Sequence, residues 1–202
     1  VRTVGEYSWL LSFGDADERR ANERARFAAA LLRSRAPEGL VEAVPAARTL
    51  FVEGGPAFDA GILAGLEAEG EEPPPAAYRE HRIHVRAGGE DVPEVCALLG
   101  LTESAFWEAF LAPTFTVGFL GFAPGFAYLY GLPRSLRLPR RMTPRLRVPA
   151  CSLAMAGPYV GIYPGAMPGG WNLLGTAEGD FFDASRRPPV LLAPGDTVRF
   201  TG

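Results

Sequence analysis

Hydrophobic and polar positions alternate along the first third of the chain in two different periods. Tyr7 to Phe13 has the apolar density of a strand, and the alanine- and arginine-rich run from Asp15 to Arg35 has the length and propensity of a helix. Val41 to Val44 and Thr49 to Val52 are short extended pieces on either side of Pro45, after which Phe58 to Glu69 returns to helical spacing with Ile62, Leu63 and Leu66. The pattern predicts a small α+β unit. The acidic, proline-bearing stretch from Gly70 to Pro75 predicts a linker, so we expect two domains, residues 1–78 and 79–202.

His81 to Arg86 alternates like a strand. Asp91 then reads as a helix N-cap, with Pro93 in the first turn and Glu94 three residues on, the spacing of a capping box. Val92, Val95, Cys96 and Leu99 form the apolar stripe of that helix, and Gly100 can end it in a left-handed cap. Thr102 can start a second helix bearing Phe106, Trp107 and Phe110. From Phe115 onward the texture changes to short apolar runs separated by Gly and Pro: FTVGFLGF, FAYLY, LRLP, RLRVP, CSLAMA, YVGIY, NLLG, VLLAP and TVRF. Short strands between frequent turn signals predict a mainly-β barrel or sandwich.

Composition narrows the partners. A net charge of −3 gives no general attraction to polyanions, so neither nucleic acid nor an acidic membrane surface is expected to bind. All 20 basic residues are arginine, which removes lysine bases, Schiff bases and the phosphate-loop lysine. The two cysteines, Cys96 and Cys151, lack metal-ligand spacing, and Cys96 falls on a helix stripe where a thiol acts as a small hydrophobe. The opening VRTVGEYSWLLSFGD carries no continuous apolar core of a secretory signal, so a cytoplasmic location is the expectation. Two charge-free stretches, Ala109 to Pro133 and Val148 to Ala177, are long enough to span a bilayer, but their glycines and prolines would leave backbone groups unsatisfied in lipid.

Three segments stand out chemically. In GFLGFAPGFAYLYGLP, Gly121, Pro124 and Gly125 punctuate Phe119, Phe122, Phe126 and Tyr128, either as a tight aromatic barrel corner or as a backbone cradle for a carboxylate or phosphate. In GIYPGAMPGGWNLLG, Pro168, Gly169 and Gly170 present Trp171 beside Asn172. Between them, RSLRLPRRMTPRLRVP crowds Arg134, Arg137, Arg140, Arg141, Arg145 and Arg147 into one run, either a solvated loop or a binding face for carboxylates. The usual catalytic constellations are missing. His81 and His84 have opposite parity on their strand, and there is no G-x-S-x-G elbow or H-E-x-x-H pair, so no metal site is expected. Asp180, Asp183 and Asp196 are the candidate carboxylates, with Asp196 best explained as turn chemistry after Pro194 and Gly195.

The ordered series FLGFAPGFAYLYGLP, LPRRMTPRLRVPACS, GIYPGAMPGGWNLLG and FFDASRRPPVLLAPGDTVRF resembles the B-type subunit of the bacterial ATP-dependent 5-oxoprolinase, the family also labelled allophanate hydrolase subunit 1 and KipI-type kinase inhibitor, with its carboxyltransferase C and D domain. The resemblance is strong from about Thr114 to Phe200 and collinear but weaker from Tyr7 to Val52. It implies a ferredoxin-like α+β domain followed by a cyclophilin-like β-barrel. It also implies partners: a second cyclophilin-like subunit (the C-type, or KipA type) and a TIM-barrel-like subunit (the A-type), the assembly using ATP to open 5-oxoproline to glutamate. In kinase-inhibitor members the partner is a sensor histidine kinase, and a related module serves urea carboxylase.

Phe122, Pro124, Gly125, Phe126 and Tyr128 keep the first motif; Arg140 and Arg145 keep the second; Pro168, Gly169, Gly170 and Trp171 keep the third, followed by Asn172 where the family has Gln. These twelve are the expected substrate- or partner-binding residues, with no catalytic residue assigned. The chain departs from the family at Phe110 (usually His), Cys151 (usually Gly), Tyr159 and Val160 (Gln-Thr), Met167 (Ser or Thr), Thr176 and Ala177. Because losing a buried hydrogen-bonding partner typically costs about 1–3 kcal/mol, these departures imply a paralogue with an altered ligand.

Overall fold

A computed structural model describes residues 1–66 and 78–202. The chain divides into two compact units, Val1–Ala77 and Tyr78–Gly202. The linker expected at Gly70 to Pro75 lies outside the described residues.

In the first unit, strands β1 (Arg2–Gly5), β2 (Ser8–Ser12), β3 (Leu40–Pro45) and β4 (Thr49–Gly54) form an antiparallel sheet in the order β1-β2-β4-β3. Helix α1 (Glu18–Arg35) starts at Asp17, whose carboxylate accepts from the Arg19 amide, and its alanine face packs on β3 and β4. Small residues there let helix and sheet approach closely over Leu11, Leu50 and Val52. Helical spacing after Phe58 gives less than expected: a 3-10 turn at Ala60–Ile62 and one α-turn, α2 (Leu63–Leu66), with residues 67–69 outside the described set.

The second unit contains β5 (Glu80–Ala87), α3 (Val92–Leu99), α4 (Glu103–Leu111), β6 (Phe115–Leu120), β7 (Ala127–Tyr130), β8 (Arg145–Val148), β9 (Ser152–Ala156), β10 (Tyr159–Ile162), β11 (Met167–Gly169), β12 (Asn172–Ala177) and β13 (Thr197–Thr201). Seven strands close into a barrel in the order β10-β7-β6-β13-β5-β12-β9, and β8 pairs with β11 as a separate ribbon. The runs LRLP and VLLAP do not become strands; within VLLAP there is a lone bridge from Phe182 to Val190.

Side-chain parity decides where the cores lie. Ile83, Val85, Val117, Leu129, Leu153, Met155, Val160, Ile162, Val198 and Phe200 meet in one cluster with Phe106 and Phe110 of α4. Residues of one parity from every barrel strand can meet only inside the barrel, which is therefore filled with side chains rather than hollow. Residues of the other parity on β9 and β12, Ala154 and Leu173, join Phe126, Val148 and Tyr163 in a second cluster against the barrel's outer wall.

Three of the departures from the family pattern are explained by this division. Phe110, Val160 and Ala177 belong to the interior cluster. Phe110 stacks on Phe106 and Phe200 with ring centroids 5.8 and 5.7 Å apart. Their apolar character serves interior packing. Cys151 adopts φ 62°, a left-handed conformation that accounts for glycine being usual there.

Candidate functional site

The loop from β6 to β7 folds back on itself: the Gly121 amide donates to Phe126 O, the Ala123 amide to Gly121 O and the Phe126 amide to Ala123 O. These bonds spend three of the amides that a backbone cradle for an anion would need, which favours the aromatic corner. Phe122 sits at φ 69° and is 64% exposed, and Gly125 sits at φ 80°. A bulky residue held in the left-handed region costs about 1–3 kcal/mol and is more common at functional sites.

Around this corner the outward aromatic residues interlock. Phe126 lies edge-on to Phe122, Tyr163 and Trp171 at centroid distances of 5.4, 5.2 and 5.3 Å. Tyr128 stacks on Phe119 at 4.4 Å and meets Trp171 at 5.4 Å. Between them opens a pocket of about 340 Å³, lined by Phe122, Phe126, Tyr128, Tyr163 and Trp171, the backbone of Pro168 to Gly170, Pro144 and Arg140. Gly169 is required here, because a Cβ at that position would lie 2.2 Å from Tyr163 Oη.

Eight of the twelve expected site residues line this pocket: Phe122, Phe126, Tyr128, Arg140, Pro168, Gly169, Gly170 and Trp171. Pro124 and Gly125 shape the loop behind it. Asn172 is buried and donates through Nδ2 to Pro139 O at 3.0 Å and Met155 O at 3.2 Å, tying the arginine-rich segment to the barrel wall. Arg145 serves from behind the wall.

That role of Arg145 exposes a residue that sequence reasoning placed differently. Asp91 stands at the start of α3 but makes no capping bond, so the expected capping box with Glu94 does not form. Its carboxylate, 4% exposed, instead takes Arg145 Nη2 at 2.6 Å, Arg141 Nη1 at 2.8 Å and the Leu173 amide at 2.7 Å. Glu90 adds a second bond to Arg145 at 2.6 Å, and Glu94 one to Arg141 at 2.7 Å. The hydrogen bond to Glu94 and the charge of Asp91 raise the Arg141 pKa further, keeping it cationic. The Arg141 amide donates to Gly170 O at 2.7 Å, and Arg145 Nη1 reaches Trp171 O at 3.5 Å. One buried carboxylate thus holds both arginines that fix the Gly170–Trp171 wall. Arg140 points the other way: exposed, it has no ion pair among the described residues and is the one charged group lining the pocket.

Tyr163 is a site residue not singled out from the sequence, although it lies in the GIYPG motif; it follows β10 with the parity opposite to Val160 and Ile162, which puts its ring in the outer cluster beneath Gly169. Burial pushes the phenols of Tyr128 and Tyr163 above the usual tyrosine pKa, offset in part for Tyr163 by the Trp171 backbone and Arg145. The native state holds those protons more tightly than the unfolded chain. Stability is therefore unaffected below the unfolded tyrosine pKa and falls as pH rises past it. In an ultraviolet alkaline titration, Tyr128→Phe and Tyr163→Phe should each remove a late-titrating phenol; loss of an early-titrating one would contradict this.

His81 and His84 do face opposite sides: His84 is exposed, whereas His81 turns inward, 2.9 Å from the Asp196 carboxylate. Asp196 also accepts from the Arg79 and Ala193 amides, so it combines turn chemistry with a buried histidine pair away from the pocket's lining. Cys96 is buried in the barrel core, which raises its thiol pKa, and both cysteines are free. Among the described residues no helix is long and apolar enough to cross a membrane.

Residues 1–192 match the family described as carboxyltransferase domain, subdomain C and D. The chain is 46% identical over 134 residues to the B-type subunit of 5-oxoprolinase from Escherichia coli O157:H7, an alignment covering 66% of this chain and 62% of that one. It is 31% identical to the B-type subunit of 5-oxoprolinase from Bacillus subtilis (strain 168), over 99% of this chain and 91% of the relative. The solved structure of TTHA0988 superposes with a TM-score of 0.85 at 43% identity, covering 96% of this chain but 39% of that longer one. The E. coli match thus reaches under two thirds of its relative's length. With the family match spanning both units, the chain belongs to the carboxyltransferase domain family, subdomain C and D, and has B-type subunits of 5-oxoprolinase among its relatives.

Proposed function

We propose that the chain is a non-autonomous subunit of a 5-oxoprolinase-type assembly, in which its pocket binds the small, planar, carboxylate-bearing lactam. The observation that carries this reading is the pairing of an aromatic box with one uncommitted guanidinium, Arg140, in a pocket of about 340 Å³. Aromatic faces suit a flat ring, and a guanidinium suits a carboxylate. The lining holds no imidazole or carboxylate to act as a general base, so the acid-base groups of lactam opening belong to the partner subunits. ATP belongs to the assembly as well, since the chain has no lysine and no phosphate loop. The partners would be a TIM-barrel-like subunit together with a second cyclophilin-like one. The β2-β4-β3 sheet under α1 and the closed barrel support the ferredoxin-like and cyclophilin-like architecture.

ATP-dependent glutamate formation should appear only when this chain joins its cognate subunits; no turnover with the complete set would end the proposal. Arg140→Ala should weaken 5-oxoproline use by about tenfold, the loss of a hydrogen bond to a charged group. Its stability should stay within about 0.5 kcal/mol, as for a surface change. Unchanged kinetics would remove Arg140 from the site.

The same lack of an acid-base group favours a second reading, a regulator that binds a sensor histidine kinase. Kinase autophosphorylation should then fall on addition of the chain, with no requirement for 5-oxoproline.

A further inference from the structure

Beside the pocket, and sharing Arg140 with it, lies a groove of about 320 Å³ whose walls include Leu98, Leu138 and Met142. Met142 is 98% exposed and Leu146 93%, on either side of Pro144, while Leu98 is 66% exposed across the groove. Large apolar side chains grouped in solvent mark interaction surfaces more often than chance positions do. Their backbone is not loose. The Arg141 amide on Gly170 O, Asn172 on Pro139 O and the Asp91 pair with Arg141 and Arg145 hold the segment in place, so docking would cost little ordering.

Charge selects the occupant. Residues 134–147 contain six arginines and no acid. Arg141 and Arg145 are neutralised by Asp91, Glu90 and Glu94, and Arg137 Nε donates to Leu132 O. Arg134, Arg140 and Arg147 have no ion pair among the described residues and are exposed. A two-fold contact with a second copy would press these arginines against themselves. Nucleic acid would need stacking aromatics between the basic residues, where the segment has Met142 and Leu146. The complementary surface is a protein face with carboxylates set around apolar side chains.

We propose that this face, centred on Met142, Leu146 and Arg147, seats the partner subunit, which closes the adjacent pocket and so completes the binding site. The inference rests on the assembly reading above.

The test mixes the purified full chain with the second barrel subunit, with complex formation measured by sedimentation velocity and titration calorimetry. Met142→Asp with Leu146→Asp, and separately Arg147→Glu, should each raise Kd at least tenfold, and added salt should weaken the wild-type complex. Arg82→Glu, an exposed arginine outside the face, should leave Kd unchanged. Circular dichroism and melting temperature should match wild type, because the substituted side chains are in solvent. If wild type pairs and the face variants pair equally well, docking is elsewhere and this inference falls while the assembly stands. If wild type does not pair at all, the assembly reading falls and takes this inference with it. If the face variants change self-association instead, the occupant is a second copy and the proposal is overturned.

Discussion

Replacing Asp91 by alanine should destabilise the barrel unit by about 3 kcal/mol, the low end of the cost of breaking a buried ion pair. The low end applies because Arg141 and Arg145 keep Glu94 and Glu90 and are 31% and 20% exposed, so water recovers part of the loss. The Leu173 amide, which Asp91 also satisfies, would lose its acceptor. Asp91→Asn keeps the shape but turns an amide donor toward two guanidiniums, so it should recover only part of the stability. Urea unfolding of the wild type and both variants would show this as a lower midpoint with an unchanged slope. An alanine variant as stable as wild type would mean that Asp91 does not hold the wall. Since the carboxylate is not itself among the pocket's lining residues, any loss of ligand binding in Asp91→Asn should be accompanied by altered tryptophan fluorescence.

Gly169→Ala should cost almost as much, by the opposite route. The added methyl would meet Tyr163 Oη at 2.2 Å and Cζ at 2.7 Å, and Tyr163 is a buried ring packed among Phe126, Val148, Ala154 and Leu173. Overpacking of this kind costs about 1–3 kcal/mol, and a rigid ring beneath backbone puts this case near the top. The ring's escape is toward the pocket, so ligand affinity should fall with stability. Tyr163→Phe removes the oxygen that clashes. In a double-mutant cycle, Gly169→Ala should be milder in the Tyr163→Phe background by about 1 kcal/mol, because the two positions are in contact. Additive effects would place the strain elsewhere.

The parts of this molecule that were legible in the sequence are those fixed by local rules. Helix α1 follows from its alanine-rich run, α4 from the Thr102 cap that accepts from the Ala105 amide, and the left-handed Gly100 from its place after an apolar stripe. The aromatic and glycine motifs announced the pocket because close packing needs glycine where rings approach backbone. What sequence could not show was which of two local uses a residue would take. Asp91 and Glu94 have capping-box spacing, yet two arginines about fifty positions away compete for the same oxygens and win, since each guanidinium brings a full positive charge to the buried carboxylate where a helix amide brings only a dipole. Phe110, Val160 and Ala177 read as changes to a binding site because each puts an apolar side chain where the family usually has a hydrogen-bonding one. Strand parity sends Val160 and Ala177 inward instead, and the apolar face of α4 does the same for Phe110.

The barrel's seam has a consequence for how the molecule is made. Its first strand, β5, lies between β12 and β13, and β13 is its parallel neighbour, with Thr197 opposite Glu80. β13 is also the last barrel strand to be synthesised, so during translation β5 and β6 wait with unpaired edges until β13, far downstream in the chain, arrives. Such long-range closure is slow and leaves strand edges open to foreign pairing. Premature termination before Thr197 would therefore yield an open, adhesive sheet rather than a smaller barrel.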